Sequence, residues 1–262
     1  MNSYQTLVLT KPSEYILIVT LDRPDSRNAI NSVMMRELRD LWQTLFVDSG
    51  ALRCVILTGS PPAFCAGADL KERKDISLTV WRAQHSLLEQ SMLAMLDCPL
   101  PIISAVNGAA FGGGLELVLA SDFAYAAATV TFSQSEVKVG LMPGALGTQH
   151  LPRACGLKRA KELTFTGGNF SAQQAYDWGI VNKLCDPDIL MEEVLKTANT
   201  ICENAPVAVR QAKKSLNMSQ NLDVKSGFSF ELEAYNQLLS TEDRVEGILA
   251  FNQKRKPEFK GC

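Results

Sequence analysis

The 262-residue sequence has no uninterrupted apolar run that reaches the roughly eighteen residues a membrane helix needs. Its first fifteen residues, MNSYQTLVLTKPSEY, lack a charged region followed by a long apolar one, so no export signal is expected and a soluble, cytoplasmic protein is. Charge of one sign is also missing. Lys and Arg number 26 against 28 Asp and Glu, a net charge of −2, which leaves no chain-wide electrostatic footprint for nucleic acid. The seven cysteines are odd in number, scattered, and nowhere spaced Cys-x-x-Cys, which argues for free thiols in a reducing compartment and against structural zinc. Histidine is scarce: His85 and His150 stand alone, without a neighbour at metal-ligand spacing, so no metal is expected and each reads as a surface, groove or structural residue. Neither a Gly-x-Ser-x-Gly elbow, nor a phosphate-binding Gly-x-x-x-x-Gly-Lys loop, nor a His-Glu-x-x-His helix occurs, which argues against serine hydrolases, P-loop NTPases and zincins.

What is present is an ordinary globular balance, 46% hydrophobic and 21% charged, with enough length for a large core. Residues 15–21, 53–58 and 101–106 are short β-branched runs closed by turn residues and read as strands. Between them, Asn31 or Ser32 caps a helix whose apolar positions Met34, Leu38, Leu41 and Leu45 repeat at helical spacing, and residues 76–96 form a second, mixed-polarity helix. Strand alternating with helix predicts an α/β architecture with crossover connections. From Lys158 onward helices dominate: Ser171–Gln174 fits a capping box ahead of Gly179, Pro187 and Pro206 open helices, and residues 228–239 and 242–251 complete the C-terminal part. The basic tail 254–260 reads as extended. A soft boundary near 200 divides a core of residues 1–200 from a helical region of 201–262.

Three segments carry chemistry. In Asn107–Glu116 three glycines join a buried strand to an apolar helix that continues toward residue 125, with Glu116 in its first turn. Unpaired amides and the helix dipole stabilise developing negative charge at such a place. A glycine turn that only packs helix on strand looks the same in isolation, and a first-turn glutamate has a dipole-stabilising role of its own. The loop 64–70 (FCAGADL) also follows a buried strand and is small enough to offer a backbone amide, although Asp69 there fits a helix cap equally well. One amide from each segment makes a two-donor hole for an oxyanion. Twenty residues after Glu116, Glu136 follows the strand-like run 126–132. Two carboxylates in one cleft can hold a water and divide acid and base roles.

Together these segments resemble the crotonase superfamily, the enoyl-CoA hydratase/isomerase family. The likeness runs from about Leu21 to the C-terminus through Asn28-Ala29-Ile30-Asn31, the 64–73 loop, Asn107-Gly108, Gly112–Glu116, Glu136, Pro143-Gly144 and Gly147-Thr148-Gln149. Residues 241–247 and 251–255 most resemble the methylglutaconyl-CoA hydratase branch and its bacterial short-chain enoyl-CoA hydratase relatives. The resemblance implies an α/β crotonase (ClpP-like) spiral of ββα units with a C-terminal helical trimerisation region, assembled as a homotrimer or dimer of trimers. It implies that the amides of Ala68 and Gly113 polarise a thioester carbonyl, and that Glu116 and Glu136 bind the water. In family terms Glu116 activates water for attack at the β-carbon and Glu136 delivers the proton to the α-carbon. Ala66, Asp69 and Leu70 are implied to line the coenzyme A arm, with Arg27 and Lys71 meeting phosphates or ribose.

The implied activity is hydration of a short or branched 2-enoyl-CoA, with no cofactor beyond the coenzyme A of the substrate. A Δ3,Δ2-enoyl-CoA isomerase is the alternative, disfavoured because family isomerases commonly work with one essential carboxylate. RNA binding, a property of the methylglutaconyl-CoA hydratase branch attributed to a lysine-rich helix, is argued against by residues 76–96, which hold Arg82 and no lysine. Two residues depart from the family pattern. Leu146 stands where a small residue is usual and is expected to narrow the acyl pocket or disturb a subunit contact, and His150 stands where arginine is common.

Overall fold

A computed structural model describes residues 4–262; residues 1–3, part of the stretch read above for an export signal, lie outside it. The chain opens with a strand pair that the apolar pattern only half reveals, β1 (Leu7–Ser13) antiparallel to β2 (Ile16–Leu21). β1 escapes sequence reading because it is an edge strand, mostly exposed, and polar residues satisfy its outer face. A cap from Asn31 Oδ1 to the Met34 amide then starts α1 (Ser32–Val47), which buries Met34, Leu38, Leu41 and Leu45 as its spacing requires.

Three strand pairs follow, and each places its first strand in one sheet and its second in another. They are β3 (Cys54–Gly59) with β4 (Ala63–Cys65), β5 (Ile102–Val106) with β6 (Ala109–Phe111), and β7 (Phe123–Ala127) with β8 (Thr131–Ser133). α2 (Leu78–Asp97) separates the first pair from the second, and α3 (Gly113–Ala120) the second from the third. The result is a six-stranded sheet ordered β1-β2-β3-β5-β7-β10 beside a four-stranded sheet ordered β4-β6-β8-β9, a spiral of ββα units. β3 and β5 are buried along their whole length, which explains their mainly apolar sequences; the hydroxyls of Thr58 and Ser104 are satisfied internally by the Ala105 carbonyl and Ser121.

The remaining elements are α4 (Gly147–Cys155), α5 (Leu157–Thr166), β9 (Asn169–Ser171), α6 (Ala172–Asp177), β10 (Lys183–Cys185), α7 (Leu190–Cys202), α8 (Pro206–Ser219), α9 (Val224–Asn236) and α10 (Glu242–Asn252). Ser171 and Gln174 form the reciprocal capping box, and Pro187 opens a single 3-10 turn ahead of α7.

Three local expectations are corrected. The helix after the glycines stops at Ala120, because Ser121 returns its hydroxyl to the Leu117 carbonyl and β7 then pairs with β5. The single run 126–132 is two strands, β7 and β8, broken where the chain crosses between sheets. The 228–239 helix begins four residues earlier, where Asp223 caps α9 through the amides of Lys225 and Ser226.

The basic tail is extended but tethered. Arg255 pairs with Glu246, and the buried Asp243 carboxylate accepts the amides of Lys260 and Gly261. All seven cysteines are free, five of them buried. Among the described residues no helix is long and apolar enough to cross a membrane, and no group of three or more acidic, histidine or cysteine side chains is placed to hold a metal.

Candidate active site

The site forms where the small sheet meets the first turn of α3. Asn28, fully buried, ties the loops behind it together by donating to the carbonyls of Ser60 and Ala63 and accepting the Arg23 amide. The 66–70 loop is then held as a one-residue strand against Ile30. The Ile30 amide donates to Gly67 O at 2.7 Å and the Asp69 amide to Ile30 O at 2.9 Å, which turns the Ala68 amide to the opposite side. Arg23 locks this loop, donating to Asp69 Oδ2 at 2.9 Å and to the Ala29 carbonyl. Burial opposes ionisation of Asp69, but Arg23 and the amides of Glu72 and Lys71 outweigh it and hold the carboxyl below its ordinary range.

Close approach between this loop and α3 depends on glycine. Gly67 has φ +89°, and a side chain there would start 2.7 Å from Phe111 O and 3.3 Å from the Gly113 amide. A side chain at Gly114 would start 2.2 Å from Cys65 O. The Gly113 amide, at the first position of α3, is an orphan donor of the helix end, and a side chain at Gly113 would start 3.8 Å from the Ala68 nitrogen. Two amide donors therefore stand side by side at a helix N-terminus.

The two glutamates converge on the same place. Glu116 is 3% exposed, and its Oε1 accepts the amides of Ala145 and Gly147, both at 2.8 Å. Glu136 sits on the 3-10 turn Glu136–Val139 and is half-buried. Gln134 holds Glu136 and lies near Glu116. Its Nε2 donates to Glu136 Oε1 at 2.9 Å, while its Oε1 and that of Glu116 lie 3.1 and 2.8 Å from the side-chain position of Gly147. Gln134 Oε1 and Glu136 Oε2 are buried acceptors with no protein donor among the described residues. Burial first, and then the charge of Glu136, push the Glu116 carboxyl up to about 7, although the two amides pull the other way. Burial also raises Glu136. Such a pair keeps a proton near neutral pH, as acid–base chemistry requires.

A cavity of about 580 Å³ opens onto both acids and both amide donors. Ala66 and Leu70 line it with Ala68, Gly113, Glu116 and Glu136, so six of the residues named from sequence meet there. Asp69 does not line it; its carboxylate is spent on Arg23 and the loop amides. Arg27 and Lys71 are exposed and each adjoins a lining residue, Arg27 through its carbonyl to the Ala66 amide and Lys71 by following Leu70. His85 lines the cavity, whereas His150, half-buried and lowered by that burial, does not.

For Leu146 the expectation of a narrowed acyl pocket is corrected. It is not on the cavity wall; its side chain packs against the core, and its backbone, at φ +76°, forms the turn that presents the Ala145 and Gly147 amides to Glu116. Gln134 was not singled out from the sequence. Nothing local in the sequence marks it: β8 ends at Ser133 and Glu136 opens a 3-10 turn, so the approach of Gln134 to Glu136 comes from that turn and not from strand alternation.

A fold of ββα units in a spiral, two amides at a helix end and two glutamates on one cavity define the class, and sequence comparison agrees. Residues 11–262 match the family described as enoyl-CoA hydratase/isomerase, and the chain belongs to that family. It is 38% identical over 253 residues to the short-chain-enoyl-CoA hydratase of Clostridium acetobutylicum, covering 96% of each chain. It is 39% identical over 255 residues to the enoyl-CoA isomerase/hydratase fer4 of Mycosarcoma maydis, covering 93% of this chain and 92% of the other. The crystal structure of enoyl-CoA hydratase from Bacillus anthracis superposes with a TM-score of 0.95 at 37% identity, over 98% of this chain and 100% of that one. The protein is thus an enzyme of the enoyl-CoA hydratase family with the α/β crotonase fold.

Proposed function

We propose that the protein adds water across the double bond of a short or branched 2-enoyl-CoA. The observation that carries this reading is the pair of glutamates, both raised in proton affinity by burial, on one cavity with two free amide donors. The thioester oxygen accepts from the Ala68 and Gly113 amides. Glu116 takes a proton from water as its oxygen bonds to the β-carbon, and the electron pair of the double bond moves to an enolate whose charge the two amides stabilise. Glu136 gives a proton to the α-carbon, restoring the thioester, and proton exchange with water resets the pair. Ala66 and Leu70 flank the coenzyme A arm, with Arg27 and Lys71 outside as cations for its phosphates. Asp69 serves by holding the loop.

Double-bond migration needs only one carboxylate to carry the proton, so two glutamates on the cavity favour hydration. Incubation with a 2-enoyl-CoA is expected to bleach the enoyl thioester absorbance. An unchanged 2-enoyl-CoA together with migration of the double bond in a 3-enoyl-CoA would replace hydratase with isomerase. RNA binding gains no support: α2 has one arginine against Glu89 and Asp97.

The C-terminal helices are read as the oligomerisation region of a trimer or a dimer of trimers. Leu216, Val224, Phe228, Tyr235 and Phe251 on α8, α9 and α10 are 56–91% exposed, large apolar side chains of the kind a subunit interface covers. Light scattering should give three or six times the mass of the chain, and a monomer would remove this assignment. Seven free thiols fit a cytoplasmic setting.

A further inference from the structure

We propose that Leu146 is a positioning residue for the hydration step: the left-handed turn it adopts aims two amides at one oxygen of Glu116 and leaves the other oxygen to the reacting water. The proposal rests on the hydration reading above and traces the aim of its base to a residue outside the cavity.

Among the described residues five non-glycine positions have positive φ, Arg27, Asn28, Asp75, Leu146 and Lys254, and Leu146 is the only apolar one. Leucine lacks the short polar group with which Asn or Asp offsets this conformation. The surroundings impose it. Leu146 packs its side chain against the core, its carbonyl accepts the amides of Gln149 and His150 at 2.9 Å, and both its neighbours, Ala145 and Gly147, are buried. With φ +76° and ψ 5° at Leu146, the amides of Ala145 and Gly147 point to one spot, the concave cradle that such turns make for an anion.

Here the anion belongs to the protein itself. Glu116 Oε1 lies 2.8 Å from both amides. A side chain at 147 would start 2.8 Å from that same oxygen, so the residue after the turn must be bare, while the side chain at 146 turns away from the cavity into the core. Leu146 also precedes the first residue of α4, and its side chain caps nothing there. Glu116 supplies the cap in its place, so the positive end of α4 faces the carboxylate. Glu116 Oε2 takes no hydrogen bond from any described residue. One oxygen is clamped, and the other is left to take the proton of water.

The clamp opposes the burial and the Glu136 charge that favour the protonated acid. Without it Glu116 keeps its proton to higher pH, and the acid limb of kcat/KM, which reports the base of the free enzyme, moves up. A change at 146 leaves in place the other ionisable groups on the cavity: Glu136 on its 3-10 turn, Arg82, His85 and Glu89 on α2, and Arg73 beyond the Ala68 loop. Cys65 on β4, behind α3, stays neutral because burial pushes its thiol up to about 12, and His150 and Arg153 on α4 lie outside the cavity.

The test compares Leu146→Ile and Leu146→Gly with the intact wild-type enzyme in hydration of trans-2-butenoyl-CoA and trans-2-hexenoyl-CoA. Isoleucine keeps the volume that packs against the core, but its β-branch disfavours positive φ. Glycine loses the packing and adopts the turn freely. Packing and conformation therefore predict opposite orders. Leu146→Ile is expected to lower kcat by about ten- to hundredfold with KM changed far less, and to raise the acid limb by about one pH unit. Leu146→Gly should melt below wild type yet keep its kcat and its acid limb, and Leu146→Asn, tolerant of the same turn, should follow it. Wild-type kcat and an unmoved limb in Leu146→Ile overturn the proposal. So does a Leu146→Gly or Leu146→Asn variant that is folded by circular dichroism but loses turnover, since packing would then be what matters; these two decide if Leu146→Ile does not fold. A failure confined to the variants leaves hydration standing, whereas a wild-type enzyme inert toward both substrates removes the hydration reading and this proposal together.

Discussion

Glu116→Gln is expected to slow hydration by about 10²–10⁴-fold, the usual contribution of a positioned acid or base. The substitution suits the site because a glutamine Oε1 can still accept the Ala145 and Gly147 amides that hold Glu116 at 2.8 Å. Geometry is kept and proton transfer is lost, so kcat falls more than KM rises. The same variant has a second signature. Burial and then the charge of Glu136 raise the folded-state pKa of Glu116 from 4.5 to about 7, so the folded protein binds this proton more tightly than the unfolded chain. Stability from the group is fully present below pH 4.5, declines as pH rises, and is gone above about 7, a change on the order of 3 kcal/mol. Glutamine cannot titrate, so the Tm of Glu116→Gln relative to wild type should be higher at pH 8 than at pH 5. Full hydratase activity in this variant would remove Glu116 from the mechanism. A Tm difference independent of pH would show that its proton affinity is not raised by folding.

Gly113→Pro should reduce kcat by about 10²–10³-fold or more, the cost of deleting one oxyanion donor. Proline is well placed for this test because residue 113 is the first helical position of α3, where a missing N–H disturbs no intrahelical bond. The ring replaces the donor and fills its place. Steric demand is moderate: a side chain at 113 starts 3.3 Å from Ile30 Cδ1, the end of a flexible chain that can shift. Circular dichroism and oligomer mass should match wild type while turnover collapses. Near-normal turnover would mean that the thioester oxygen is stabilised elsewhere, and the two-amide account would fail.

The site was legible in sequence wherever local chemistry decides it. Three glycines before an apolar helix place an unpaired amide next to Glu116, because only that residue type allows Gly114 to sit on Cys65 O and Gly67 to turn at φ +89°. The apolar runs of β3 and β5, and the cap at Asn31, are equally local, and they forecast the α/β class. β1 and the short strands β4 and β6 were less legible: an edge strand needs no apolar alternation, and three residues carry too little pattern to separate strand from loop.

What the sequence by itself determined is therefore the α/β class, the capped helix α1 and the buried strands β3 and β5, and it marked two small-residue loops and two acids as candidates, since these follow from periodicity, helix-end polarity and backbone freedom. Only the tertiary structure decided that Glu116 and Glu136, twenty residues apart, line one cavity, that Gln134 holds Glu136, that Asp69 is committed to Arg23, and that Leu146 turns two amides onto Glu116 instead of entering the pocket. The physical reason is that convergence, burial and the resulting proton affinity arise from contacts between segments on different sheets and helices, and such distances have no local signature in a chain.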